Sequence, residues 1–326
     1  MPQSRIFLSS IFLSCAILLP AVPASAQFKE GEPGGPQMGE ARVSKWQVGF
    51  EIRAVGGPCK GIVGYMPVPV EWPEQEVRIV ARDITGGATI GYQPIEDIKM
   101  MVVRVPHIQA NETVKALVTF EVRRSVQLLP AEKERKAFVL PDVKKLDASI
   151  RRSLRASPQI EVSDPAIREA AREVGADKEL AWERVEALYD WARKKVEYKQ
   201  GGKCKGAKAA LRDGVGSHED ITSLFIALCR AANIPARTVW VPEFCYAEFY
   251  LLDGDGRGHW IPCQPAGART FGQMPDTKPI LAKGDCFHPP YPSKEKQMRY
   301  LAEGGSGANL VNGGKPQIVG IHQLVP

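Results

Sequence analysis

The residues best placed to do chemistry lie in Gly214-Val-Gly-Ser-His-Glu-Asp220, which runs straight into the apolar stretch Ile221-Thr-Ser-Leu-Phe-Ile-Ala-Leu228. Ser217 followed three residues later by Asp220 has the capping-box spacing, so a helix is expected to start there, with free backbone N–H groups and the positive dipole end beside residue 218. A cysteine at such a point is biased towards thiolate and becomes a nucleophile near neutral pH. His218 meets the opposite bias. The same field disfavours imidazolium, so a neutral ring is expected that can hydrogen-bond or ligate but is a poor nucleophile towards an amide. The Ser217 hydroxyl is accounted for by capping.

Downstream, Phe244-Cys-Tyr-Ala-Glu-Phe-Tyr250 alternates as a strand, with 244, 246 and 248 on one face and Cys245 on the other. Cys245 is the alternative nucleophile and His259 the alternative base, the latter only with a one-residue shift of strand register. A metal reading would gather His218, Glu219, Asp220 and Cys245. No Cys-x2-Cys or His-x3-His spacing supports zinc, so neither metal nor cofactor is expected.

The segment from Gly214 to Arg237, ending Ile234-Pro-Ala-Arg237, resembles the active-site helix of the transglutaminase-like superfamily, of the exported bacterial type, which reads Gly-x-Cys-x-Asp, an apolar helix, then Gly-Ile-Pro-Ala-Arg. Phe244–Tyr250 resembles its His-x-(Trp or Tyr)-x-Glu-x-Tyr strand, and Gly258-His-Trp-Ile-Pro-Cys-Gln-Pro265 its Gly-Trp-x-Pro-x-Asp-Pro strand. The resemblance puts His218, Phe244 and Gln264 at the positions of nucleophile, general base and orienting aspartate. Phenylalanine accepts no proton, whereas an amide can orient an imidazole as a carboxylate does. The implied fold is α+β, a papain-like core preceded by an all-β sandwich. The implied function is a catalytically inactive relative that binds a polypeptide or cell-wall peptide in a cleft containing Ser217, Asp220, Trp240, Tyr246, Glu248 and Trp260. Two alternatives stand beside it: a thiol-dependent transamidase or peptidase working through Cys245, His218 or His259, and a structural or assembly component.

The elements that must position these residues follow from composition. Residues 1–26 read as an export signal, with Arg5, an apolar run from Ile6 to Leu19 and the small-residue site Ala24-Ser-Ala26. Residues 27–44 form a Gly/Pro-rich, unordered segment. Residues 45–129 are expected to form a β-sandwich, from the strand-like alternation of Val48–Arg53, Glu76–Ala81, Lys99–Val105 and Lys115–Arg123. Residues 130–164 are a charged linker, 165–265 the core and 266–326 a covering segment with a short helix over 295–303 and a final strand over 317–325. In the core, helices are expected from Ala166 and over 178–198, the latter with Ala181, Val185, Leu188 and Ala192 on one stripe.

The formal net charge is +6 and falls by one without Arg5. Aromatics are not interleaved with the one basic run, Lys144-Lys145 and Arg151-Arg152-Arg155, which argues against nucleic acid; no other segment suggests a membrane span. Six cysteines remain after the signal, an even number in an oxidising destination. A hairpin centred near Gly254 would set Cys245 opposite Cys263. Oligomeric state is not encoded in any motif.

Overall fold

The computed structural model describes residues 35–306, 309–310 and 314–326; the export-signal reading of residues 1–26 lies outside them. Six strands come first: β1 (Met38–Val55), β2 (Cys59–Val68), β3 (Gln75–Ile84), β4 (Thr89–Ile95), β5 (Ile98–Ile108) and β6 (Thr113–Gln127). Short helices α1 (Glu132–Ala137) and α2 (Ala148–Arg151) lead to α3 (Pro165–Glu173), α4 (Ala181–Lys195), β7 (Glu197–Tyr198), α5 (Ala207–Asp213), β8 (Val215–Gly216) and α6 (His218–Ala231). Strands β9 (Ala236–Val241), β10 (Phe244–Leu252), β11 (Gly258–Gln264), β12 (Thr270–Phe271), β13 (Ala282–Lys283), β14 (Gly304–Ser306), β15 (Asn309–Leu310) and β16 (Lys315–Val325) complete the order.

Alternation in β1 turns Val48, Phe50, Ile52 and Ala54 inward against Ile62 and Met66 of β2 and Met101, Val103 and Val105 of β5. One sandwich layer is β16-β1-β6-β3. The other does not stop at the sandwich. Its order runs β12-β11-β10-β9-β13-β5-β2-β14, so two-residue β13 stitches the core sheet to the sandwich sheet, with Ala282 pairing Trp240 on one side and Ile98 on the other. Helices α3 to α6 cover one face of β9–β12, where Ile221, Leu224, Phe225 and Leu228 of α6 meet Ala247, Phe249, Leu251, Ile261 and Cys263.

Four expectations are corrected. Strand β1 begins at Met38, so the unordered reading of 27–44 fails from there on, because the proline-rich run ends at Pro36 and pairing with β6 takes over. Residues 295–303 contain no helix; Met298 instead makes an isolated bridge to Phe287. Strands β2 and β4 went unforeseen because Gly and Pro interrupt them. The β10–β11 register pairs Ala247 with Cys263 and Leu251 with His259, which centres the hairpin on Asp255 and leaves Cys245 two residues out of step; the six cysteines among the described residues are free thiols.

Candidate functional site

Helix α6 starts as its sequence requires. Ser217 Oγ accepts the Asp220 amide at 3.3 Å, and Asp220 Oδ2 accepts the Ser217 N–H and hydroxyl, each at 2.9 Å. The other carboxylate oxygen, Oδ1, accepts Lys205 N at 2.7 Å and Gly206 N at 3.0 Å. Asp220, only 1 % exposed, is therefore a pin between the helix start and the preceding loop. Burial pushes its carboxyl upward, but the hydrogen bonds from Ser217, Gly206 and Lys205 outweigh it and hold it below the usual carboxylate range. Gly216 has no alternative here, since a Cβ would sit 2.7 Å from the Asp220 Cβ.

His218 is half-buried and lines a pocket of about 330 Å³ with Phe244, Trp240, Tyr300 and His322. Burial lowers its basicity, Arg299 adding to the effect and Glu219 opposing it, so the ring is neutral at physiological pH as the helix field demands. Phe244 lines the same pocket. Gln264 is not in this pocket: its Nε2 donates to the Ala266 carbonyl at 3.0 Å, and one step beyond the Ala247–Cys263 pair brings it level with Tyr246 rather than Phe244.

The remaining sequence candidates divide between the two faces of the sheet. Trp240, 6 % exposed, walls the His218 pocket, with its Nε1 on the Gly284 carbonyl at 2.8 Å and its ring stacked on Tyr300 at 4.5 Å. Cys245 packs with Ile98, Trp240 and Leu301, and burial pushes its thiol up to about 12. Tyr246 faces the sandwich: its hydroxyl accepts from Arg124 at 2.9 Å, and burial raises it above the ordinary phenol value. Glu248 is likewise buried, held by Arg237 Nε and Lys283 Nζ, each at 2.7 Å. Burial pushes Glu248 up, but the charges of Lys283 and Arg237 dominate together and hold it ionised. Trp260 is half-buried beneath the Arg237 guanidinium, 3.9 Å from its ring centre. His259 Nε2 is 2.8 Å from Asp253 Oδ2, and it borders a different cleft from His218.

Sequence reasoning missed two residues at the helix start. Arg299, 5 % exposed, reaches Cys204 Sγ at 2.8 Å and the Glu219 carbonyl at 3.3 Å, with its guanidinium 5.2 Å from the Trp240 ring centre. Burial pushes the Cys204 thiol up to about 11 although Arg299 pulls the other way. No local pattern could have revealed the pair, because only the chain's return from β13 brings them together.

The model of the Transglutaminase-like superfamily matches residues 168–265, a span that includes His218, Phe244 and Gln264. Residues 168–265 are a transglutaminase-like domain. A candidate cysteine protease from Cytophaga hutchinsonii shares the fold over 86 % of this chain and 92 % of its own, with TM-score 0.54 and 17 % identity. The periplasmic domain of TgpA from Pseudomonas aeruginosa aligns with 69 % of this chain and 90 % of its own at 12 % identity and TM-score 0.32. No curated relative matches the chain. No helix among the described residues is long and apolar enough to cross a membrane.

Proposed function

We propose that the chain is an exported transglutaminase-like protein that does not use the family's thiol chemistry, and that it holds a polypeptide or cell-wall peptide in the pocket at the start of α6. The observation that supports this reading is that His218 and Phe244, which the sequence resemblance puts at the family's nucleophile and base positions, line one pocket with no cysteine among its described lining residues. A neutral imidazole supplies one donor and one acceptor for a peptide group, and Phe244, Trp240 and Tyr300 supply contact area. The competing thiol reading asks Cys245 to ionise. A thiol pushed to about 12 and 1 % exposed has a negligible thiolate fraction at neutral pH.

The test is ammonia release and amine incorporation with glutamine-containing peptides, on the native protein and on His218→Cys/Phe244→His. Peptide binding is followed in parallel by intrinsic tryptophan fluorescence, to which Trp240 in the pocket contributes, with Trp240→Phe as the control. The expected result is binding without turnover by the native protein and turnover by the double variant. Native turnover abolished by Cys204→Ser or Cys245→Ser would overturn the proposal.

A further inference from the structure

Two further clefts lie apart from the His218 pocket. The larger, about 810 Å³, is bounded by Trp72, Gln127, Arg237, Trp260 and Lys283. The smaller, about 340 Å³, shares Arg237 and Lys283 and adds Arg152 and Arg155. The shared wall is a chain of buried charges: Arg237 and Lys283 both hold Glu248, and Lys283 also holds Glu74 at 2.6 Å.

This wall has donors left over. Lys283 carries three N–H groups and uses two, on Glu74 and Glu248. Arg237 uses Nε and Nη2 on Glu248, while its Nη1 has no partner among the described residues. Gln127 is 5 % exposed, and its side-chain oxygen is sealed from solvent without any hydrogen bond. A buried amide in that state is costly unless something pairs with it, and a half-turn of the side chain offers the cleft either its donor or its acceptor end. At the far end, Arg155 is exposed and makes no ion pair among the described residues, whereas the carboxylates that share this cleft are already partnered, Asp97 by Arg152, Asp285 by Arg230 and Glu96 by His288. At the near end, exposed Glu71 borders the larger cleft and repels an anion there.

We propose that the two clefts form one groove that binds an extended peptide segment bearing a carboxylate. The carboxylate lies at Arg155, backbone carbonyls take the spare N–H groups of Lys283 and Arg237, and a peptide group pairs with Gln127 between Trp72 and Trp260. A planar carboxylate suits guanidinium forks, a peptide group carries both partners that an amide side chain lacks, and the two joined volumes exceed what a lone ion fills. Of the basic run, Arg155 thereby gains a role, whereas Arg151 bonds the Leu146 carbonyl and Arg152 pairs with Asp97.

The test is fluorescence anisotropy with a labelled hexapeptide carrying two glutamates at one end, its glutamine counterpart and chitohexaose as competitor. The expected result is saturable binding of the glutamate peptide, about tenfold weaker binding of the glutamine peptide, and steeper salt dependence for the former. Arg155→Gln and Gln127→Leu each weaken the glutamate peptide several-fold, with unfolding midpoints retained to show that both fold. Equal affinity for the two peptides, displacement by chitohexaose alone, or no binding at millimolar peptide would each overturn the proposal.

Discussion

Replacing Asp220 by alanine should cost far more than a lost helix cap. Its two oxygens accept four hydrogen bonds, at 2.7 and 3.0 Å from the loop amides of Lys205 and Gly206 and at 2.9 Å from each Ser217 donor. A helix cap alone is worth about 1 kcal/mol, and each bond to a charged acceptor about 1.5–3 kcal/mol. The Ser217 hydroxyl can turn elsewhere and part of the loop can hydrate, which leaves about two donors stranded and a loss of about 4 kcal/mol. Asp220→Asn keeps one acceptor end and should lose about half of that. The assay is urea unfolding followed by tryptophan fluorescence, with the slope unchanged. The pH dependence fixes the mechanism. Because the folded carboxyl is held low, its contribution is complete above the unfolded carboxylate value, about 3.9, and is lost as pH falls through the folded value. The gap between native protein and Asp220→Asn should therefore narrow below about pH 4. A loss of only about 1 kcal/mol in Asp220→Ala, or a gap independent of pH, would refute the pin.

Four further outcomes are expected. Lys283→Met leaves Glu74 and Glu248 buried with one cation fewer and should destabilise by about 3–5 kcal/mol, part of it recovered in Lys283→Met/Glu74→Gln by the same unfolding assay. Gly49 has φ +150° and faces the Ala116 carbonyl, where a Cβ would fall at 2.0 Å; Gly49→Ala should cost about 3 kcal/mol and loosen hydrogen-exchange protection of β1 and β6. Alkylation without reductant should modify half-buried Cys204 and Cys286 first and Cys59, Cys229, Cys245 and Cys263 only on unfolding, with six adducts by mass spectrometry. Burial lowers His322 to about 4; because the unfolded imidazole titrates near 6.5, the protein should lose about 3 kcal/mol between pH 7 and pH 4, and His322→Leu should flatten that decline.

Local patterns carried the core well. The Ser217/Asp220 box, the apolar stripe of α6 and the alternation of β10 are interactions within a few residues, so the residues themselves state the geometry. The match to residues 168–265 agrees with them. What stayed hidden is set by pairings across the chain. Glu248 reads as a cleft carboxylate until Lys283 and Arg237 are found on it. Tyr246 reads the same way until Arg124, from a sandwich strand, is found on its hydroxyl. The Cys245–Cys263 opposition failed on a hairpin centre displaced by one residue, which moves every cross-strand partner by two. Residues 295–303 have helical composition, yet Met298 bridges Phe287 and Arg299 turns inward on Cys204, contacts that outweigh a weak propensity.

The stitched sheet bears on what the altered site can do. In a two-domain arrangement with a mobile joint, a pocket at the start of α6 could change without consequence for the sandwich. Here β13 joins β9 to β5, Gln75 of the sandwich exchanges hydrogen bonds with both backbone groups of Ile280, at 2.9 and 2.6 Å, and β16, which supplies His322 to the His218 pocket, is itself a sandwich strand. A ligand that shifts His322 must therefore strain β16 against β1, and binding at the helix start should be transmitted into the sandwich as altered exchange protection along β1. An isolated fragment 165–265 would lack β13, β16, Arg124, Lys283 and Arg299 together, leaving Glu248 with one cation and Tyr246 with none. It should fold poorly even though it contains every family motif, and its failure would show that the sandwich strands are part of the structure that holds the pocket.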